Sequence, residues 1–217
     1  MRKFCIQQWC HILLLIVATL WIVIFPIWSA WVTKEPLNAP ISLSPPGSIE
    51  EKIEIRVPER YILKFMFERD GVEFKQLKNL IGAMAVCLPS EECSKGVPVP
   101  IRWSLMSVET GVIVSSGEVE SLDSDGWSAA HVYRAIGIVQ AQPAEYIFKA
   151  EIMRPVPELA HIRTHIAIQE HSKSSTTWQM GLVWWGSLVE IFLAWPVAIY
   201  ASILLLWRVT RYKVRQI

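Results

Sequence analysis

One carboxylate, Glu190, stands in an apolar stretch near the C-terminal end of the 217-residue chain. A charged side chain at the centre of a membrane-spanning helix costs about 2.5–3.5 kcal/mol on insertion scales, so such a residue is a candidate for function. Small residues share its spacing, because Glu190, Ala194, Ala198 and Ser202 recur every four positions. A stripe of this kind lets two helices pack closely. Two interpretations stay open: a carboxylate at the membrane interface that packs against another helix, and a contact with a membrane partner.

Two cysteines, Cys87 and Cys93, enclose the short sequence Leu-Pro-Ser-Glu-Glu. Cysteines this close in an oxidising compartment are typical of a small disulfide loop. A metal pair is the alternative, but the sequence has no second pair of ligands at the spacing that a zinc site needs. We therefore predict a disulfide between Cys87 and Cys93.

Three other side chains are considered as candidates for metal binding or recognition. His161 and His165 are four residues apart, so a strand would place both on one face. Metal sites need ligands that converge, and the spacing of these histidines does not enforce this, so no metal site is predicted. Trp127 lies in a predicted loop, Asp-Gly-Trp-Ser, and an exposed aromatic residue on a loop is a candidate for recognition.

Signatures of catalysis are absent from the sequence. It has no glycine-rich phosphate loop, no G-x-S-x-G turn, no H-E-x-x-H helix and no dinucleotide fingerprint. Residues 33–177 contain 15 basic and 19 acidic residues, and this negative balance disfavours nucleic-acid binding. The chain is therefore expected not to be an enzyme, to use no cofactor and to have no small-molecule substrate.

Two apolar segments must position these groups. Residues 12–32 and 182–207 each exceed the length of about 20 residues that a helix needs to cross a bilayer, so both are predicted to span a membrane. The first could instead be a cleaved signal peptide. Its cleavage site would be poor, because Trp28-Ser29-Ala30 puts a tryptophan where a small residue is needed, and the anchor interpretation is preferred.

The distribution of charge predicts the orientation. Basic residues without acidic neighbours flank both apolar segments on the terminal sides, at Arg2, Lys3, Arg208, Arg211, Lys213 and Arg215. Positive flanks are retained in the cytoplasm. Residues 1–11 and the basic tail 208–217 are therefore predicted to be cytoplasmic, in a bacterial inner membrane, with the central domain in the periplasm.

The middle of the chain has the pattern of a soluble β protein. Four prolines within residues 33–47 predict a stiff, extended spacer. Residues 48–170 then alternate apolar and polar side chains in about seven short runs, with one amphipathic helix, before a linker at 171–181. The predicted fold is membrane-anchored and all-β: a periplasmic β-sandwich flanked by two transmembrane helices.

Several short motifs resemble a known family. They are a strand that ends in a proline turn, the strand Tyr61–Phe67, the helix Leu77-Lys-Asn-Leu80, the strand entry Gly96-Val-Pro-Val-Pro-Ile101, and Tyr146–Ile152 followed by Pro157-Glu-Leu159. Together they resemble the bacterial DUF5625 family over about residues 48–169. The resemblance implies a small extracytoplasmic β-sandwich without assigned chemistry or catalytic residues, and the second apolar helix is an addition to that pattern.

These features predict a non-catalytic protein-interaction module with an unknown protein partner. One specific version is an immunity protein against a toxin that acts in the periplasm or the membrane. A second is an accessory subunit of a membrane complex. A carbohydrate- or envelope-binding module is the alternative class, although glycan sites usually combine several exposed rings and Trp127 has few companions in the sequence.

Overall fold

Alternating apolar and polar side chains produce a β-rich middle and leave the two ends helical. The computed structural model describes residues 2–69, 73–82, 96–122, 124–170 and 177–214. It divides into two units: the central unit Glu35–Ser175, and a terminal unit of Met1–Lys34 with Thr176–Ile217.

The described residues of the central unit form two antiparallel sheets. Their strands are β1 (Leu37–Pro40), β2 (Ser48–Ile55), β3 (Arg60–Glu68), β4 (Val99–Ser107), β5 (Ile113–Ser121), β6 (Gly126–Trp127), β7 (His131–Gln140), β8 (Ala144–Ile152) and β9 (Thr164–Glu170). One sheet has the order β1-β9-β3-β7-β6 and the other β2-β8-β4-β5. The predicted β-rich class is confirmed, with nine strands where the sequence indicated about seven.

Both sheets contribute to one apolar core. Phe65 and Phe67 of β3 and Phe148 of β8 are fully buried in it. Trp103 of β4 is 5% exposed, and its indole lies between Gly117 and Gly137, where an added Cβ would approach it to 2.9 and 3.3 Å. Trp103 is thus a core residue, as its place in an alternating strand predicted.

Two tyrosines tie strand beginnings to the preceding turns. The hydroxyl of Tyr61 donates to the carbonyl of Val57 at 2.9 Å, and that of Tyr146 donates to Gln142 at 2.9 Å. Each bond reaches back four residues, as in the tyrosine corner of sandwich proteins. These bonds fix the angle at which β3 and β8 leave their turns.

The short helix α2 (Phe74–Ile81) is joined to the sheets through a buried arginine. Arg134 of β7 is 0% exposed and donates to the carbonyls of Val97 at 2.8 Å, of Ser121 at 2.9 Å and of Ile81. Gly96 packs so closely that an added Cβ would lie 2.3 Å from the Ile81 carbonyl oxygen. The end of α2, the start of β4 and the end of β5 therefore meet at one guanidinium.

The predicted spacer contains a strand. Leu37–Pro40 forms β1 and pairs with β9, with Leu37 opposite Ile168. Apolar residues of β1 and of the segment after it enter the core, since Leu37, Ile41 and Leu43 are each less than 7% exposed. The structured unit thus begins well before residue 48. Proline is tolerated here because β1 is an edge strand, where one side of the backbone needs no partner.

The terminal unit consists of two apolar helical segments. One is α1 (Arg2–Val32); the other runs through α3 (Trp178–Val189), a π-helical turn (Glu190–Ala194) and α4 (Trp195–Val214). Within them, His11–Val32 and Trp178–Trp207 are long and apolar enough to cross a membrane. This confirms the prediction of two apolar helices that flank the β-rich region.

The two segments pack in opposite directions along a seam of small and aromatic residues. Trp28 stacks on Trp178 with ring centres 6.4 Å apart, and Phe25 lies against Gly186. Buried positions on α1 recur every seven residues, at Ala18, Phe25 and Val32. On the second segment they fall at Gly186, Ala194 and Ala201. The first of these intervals is eight residues because the wider π turn absorbs one extra residue and keeps the seam on one face.

Candidate interaction surface

The predicted residues of the second apolar segment lie on or beside its packed face. Ala194 is 5% exposed, and Glu190, Ala198 and Ser202 are half-buried. Glu190 is the first residue of the π turn. Such turns are over-represented at functional sites because they reorient the side chains they contain. Four-residue spacing alone does not predict this turn.

The predicted residues of the central unit are spread over several places. Trp127 lies in the short edge strand β6, where the sequence indicated a loop, and is 55% exposed. His161 is exposed in the turn before β9, whereas His165 lies in β9, so they do not share a strand face. Cys87 and Cys93 lie outside the described residues. Among the residues that the structure describes, no group of three or more metal-ligating side chains comes together.

His165 takes part in a polar contact that the sequence did not predict. Its Nδ1 lies 3.1 Å from Asn38 Oδ1, and its Nε2 lies 3.2 Å from Glu68 Oε1. Arg163 Nη1 approaches the other oxygen of Glu68 at 3.4 Å. These contacts link β1, β3 and β9 on one face of the five-stranded sheet. They hold the β1 edge in place.

The same sheet holds groups with shifted pKa values. Burial raises the pKa of Tyr61 to about 12, and nearby Glu170 and Glu59 add to this effect. Burial also raises the pKa of Glu170 and lowers that of Lys64, whose Nζ lies 4.1 Å from the centre of the Tyr133 ring. These shifts follow from desolvation of a partly buried sheet surface.

An exposed apolar feature of the central unit lies at the β4–β5 hairpin. Four aliphatic side chains there are between 42% and 58% exposed: Val108, Val112, Ile113 and Val114. We call these four residues the hairpin patch. The hairpin turns at Gly111, whose φ of 66° is a conformation that favours glycine. The sequence already shows apolar residues on both sides of the Glu-Thr-Gly turn. Only the structure shows that these residues face solvent.

The hairpin patch continues into the edge of the four-stranded sheet. β5 pairs with β4, and within the described residues it has no strand on its other side. From Val112 to Gly117 the chain has no charged residue. The opposite edge of the same sheet, β2, carries Glu50, Glu51, Lys52 and Glu54. Charges on an edge strand discourage pairing with other chains. The β2 edge is therefore protected from such pairing, and the uncharged part of the β5 edge lacks this protection.

A groove lies beside β5 on the outer face of the same sheet. Its volume is about 680 Å³, and its lining includes Ile113, Ser116 and Glu118 of β5. Five charged residues line it: Glu50, Glu118, Glu151, Arg102 and Lys149. Two ion pairs cross it, Arg102–Glu118 at 3.0 Å and Lys149–Glu50 at 3.0 Å. The lining therefore has one more acidic than basic residue, and Ile113 joins it to the hairpin patch.

Comparisons with known proteins agree with this fold. A family model described as "Domain of unknown function (DUF5625)" matches residues 38–170, which run from β1 to the end of β9. Among solved structures, a crystal structure of a protein from Sulfurospirillum deleyianum is similar with a TM-score of 0.50 at 16% identity, over 62% of this chain and 96% of that chain. At this identity the likeness is one of fold alone. No protein with a curated description matches the chain.

Proposed function

We propose, from the premise that this chain belongs to the DUF5625 family, that it is a non-catalytic protein-interaction module anchored in a bacterial inner membrane. In this proposal the two sheets form a sandwich on the periplasmic side, and both termini are cytoplasmic. Support for the orientation comes from the basic residues at the two chain ends and the net negative charge between them. A disulfide between Cys87 and Cys93 belongs to the same proposal, because the periplasm is oxidising.

The observation that carries the proposal is the exposure of the hairpin patch. Neighbouring exposed apolar side chains on a soluble domain often mark a site of protein interaction. The rest of the four-stranded sheet is charged on its outer face, with exposed ion pairs such as Lys52–Glu145 at 2.8 Å. A surface that is apolar at one edge and charged elsewhere is typical of a protein-binding site with a polar rim.

Site-specific photo-crosslinking in living cells tests this function. A photo-reactive amino acid in place of Val112 should give a defined adduct with another protein. The matched control is the same amino acid in place of Ile138, an exposed aliphatic residue (61%) on the other sheet, which should give none. Equal, diffuse adducts from both positions, or none from either, would contradict a role for the hairpin patch in protein binding.

One version of this function is an immunity protein that neutralises a toxin acting in the periplasm or the membrane. A gene for a toxin next to the gene for this chain, with protection that depends on Val112, would support it. Protection that survives Val112→Lys would count against the hairpin patch as the toxin-binding surface.

A second version, an accessory subunit of a membrane complex, is favoured by Glu190. This half-buried carboxylate begins a π turn within an apolar helix, and an ionisable residue in such a place usually has a partner. Glu190→Gln should reduce co-purification of membrane subunits from mild detergent if that carboxylate pairs with a basic group of the complex. Unchanged co-purification would show that Glu190 has only a packing role.

A further inference from the structure

We infer that the partner binds by adding an extended strand to the open edge of β5, and that this strand is apolar next to the hairpin patch and basic next to Glu118. This inference rests on the proposed protein-binding function and specifies its geometry and the chemistry of the partner. Strand addition of this kind takes its affinity from main-chain hydrogen bonds and its specificity from alternate side chains.

The first support is the open backbone of β5. The strand is nine residues long and pairs with β4 from Ser121 to Ile113, with a bulge at Val114 where the register shifts. Within the described residues its side-chain hydrogen bonds to the other sheet lie at the far end, where Ser121 Oγ donates to the Ala135 carbonyl and the Ser121 carbonyl accepts from Arg134. The backbone between Ile113 and Val119 therefore presents donors and acceptors that an added strand can satisfy.

The second support is the contrast between the two edges of this sheet. Half of the eight residues of β2 are charged, and Lys52 and Glu50 form ion pairs with β8. In β5 only Glu118 and Glu120 are charged, and both lie in its second half. Proteins use charge to prevent pairing at an edge. One edge of the sheet is thus protected by charge, whereas the first half of the other is uncharged and is interrupted only by the bulge at Val114 within its pairing with β4.

The chemistry of the added strand follows from its neighbours on β5. Ile113 and Glu118 both line the groove on the outer face, so side chains of the added strand would lie beside them on that face. An aliphatic side chain matches Ile113. A lysine or arginine near Glu118, which already pairs with Arg102, matches the excess of one acidic residue in the groove. The partner segment is therefore an alternating apolar sequence with a basic residue towards one end.

Charge also argues against a second copy of this chain as the occupant. Residues 35–175 contain 14 basic and 19 acidic residues, so two copies would bring like net charges together. Antiparallel pairing of β5 with itself about Ser116 would place Glu118 opposite Val114 and Glu120 opposite Val112. Such pairs bury no salt bridge and set a carboxylate against an aliphatic side chain. A heterologous strand that is apolar at one end and basic at the other matches the two halves of β5 better.

Peptide binding to the full chain in detergent micelles tests the inference. The probe is a fluorescent nine-residue peptide, equal to β5 in length, that alternates valine with threonine and has lysine near one end. Fluorescence anisotropy should show saturable binding, and replacement of the lysine by glutamate should weaken it at least about tenfold. Val114→Lys should weaken it similarly, whereas Ile138→Lys, a change at an exposed aliphatic residue on the other sheet, should not.

N-methylation of the peptide tests the main-chain bonds. Alternate amides of an added strand point towards β5 and the others point away. Methylation of one alternate set should therefore abolish binding, and methylation of the other should leave it within about threefold of the parent peptide. Equal effects of the two sets, binding that is insensitive to Val114→Lys, or no binding by the alternating peptide would each overturn strand addition at β5. Concentration-dependent self-association that Val114→Lys removes would instead identify a second copy as the occupant and also overturn it.

These outcomes are separate from those of the crosslinking experiment. A protein adduct at Val112 without peptide binding would leave the protein-interaction function intact and reject only the strand-addition geometry. Peptide binding without any cellular adduct would support the geometry while contradicting the proposed function.

Discussion

Arg134 is a fully buried cation in β7 that holds three backbone segments together through the carbonyls of Ile81, Val97 and Ser121. Removal of a hydrogen-bonded charge leaves its partners buried without donors. We expect Arg134→Met to reduce the free energy of unfolding by about 3–5 kcal/mol, measured by urea denaturation of the central unit. The control is Arg102→Met, which breaks an exposed ion pair with Glu118 and should cost less than about 1 kcal/mol. Similar losses for both variants would show that Arg134 is not the link between these segments.

Tyr61 provides a test by pH. The folded state raises the pKa of its hydroxyl from 10.0 to about 12, mainly by burial. The folded protein therefore binds this proton where the unfolded chain has lost it, so the stability contributed by Tyr61 falls as pH rises from about 10 to about 12. Tyr61→Phe should remove this part of the decline, measured by thermal unfolding at several pH values.

Tyr146→Phe is the control for the pH experiment. It loses an equivalent hydroxyl bond, to Gln142 at 2.9 Å, but retains Tyr61, so its stability should still fall across the same window. An identical pH dependence in wild type and Tyr61→Phe would show that Tyr61 does not cause the decline.

At the scale of elements, β1 determines where a stable fragment of the central unit can begin. A fragment that starts at residue 48 lacks β1 and the buried side chains of Leu37, Ile41 and Leu43, and it exposes one edge of β9. Each buried aliphatic side chain contributes about 1.5–3 kcal/mol. We expect a fragment of residues 35–170 to unfold cooperatively and one of residues 48–170 to be markedly less stable or aggregated, as measured by circular dichroism and size-exclusion chromatography. Equal stability of the two fragments would show that β1 is dispensable.

The helical seam can be tested at Gly186. A Cβ at this position would lie 2.2 Å from Phe25 Cε2, and Phe25 has little room to move because it stacks on Trp21 at 5.2 Å. Gly186→Ala should therefore destabilise the terminal unit by about 1–3 kcal/mol through overpacking. Tryptophan fluorescence during thermal unfolding in detergent measures this.

Gly181 supplies the matched control on the same segment. Nothing lies within 4 Å of a Cβ added there, so Gly181→Ala should be neutral or slightly stabilising. If Gly186→Ala unfolds at the same temperature as Gly181→Ala, close contact at the seam is not needed for its stability.

At the scale of the whole molecule, the proposed orientation makes a prediction about protease access. Protease added to intact spheroplasts should cleave between the two apolar segments and spare a tag placed after Ile217, because the basic tail is proposed to be cytoplasmic. Cells permeabilised before digestion provide the control, since both regions should then be cut. Removal of the tag from intact spheroplasts, with the central region untouched, would reverse the orientation and remove the basis for a periplasmic function.

The predictions from sequence succeeded where structure follows from local patterns. Alternation in Tyr61–Phe67 predicts β3, and apolar residues at three- and four-residue spacing up to Ile81 predict α2. Side-chain direction repeats every two residues in a strand and every 3.6 in a helix. The two apolar segments were also predicted from local sequence, because their length and composition suffice for a helix that crosses a membrane. The DUF5625 family was identified from short motifs on those same strands.

Features that depend on contacts between distant residues were decided by the tertiary structure. Leu37–Pro40 is a strand only because β9 lies beside it, more than 120 residues later in the chain. The π turn at Glu190 keeps Gly186 and Ala194 on a seam that α1 also forms, and a four-residue count cannot show it. The hairpin patch lies at the β4–β5 turn and at the start of β5, which is an edge strand among the described residues. Local sequence determines which residues form a strand, whereas the pairing partners of the strand determine which edge and which apolar side chains remain open to another molecule.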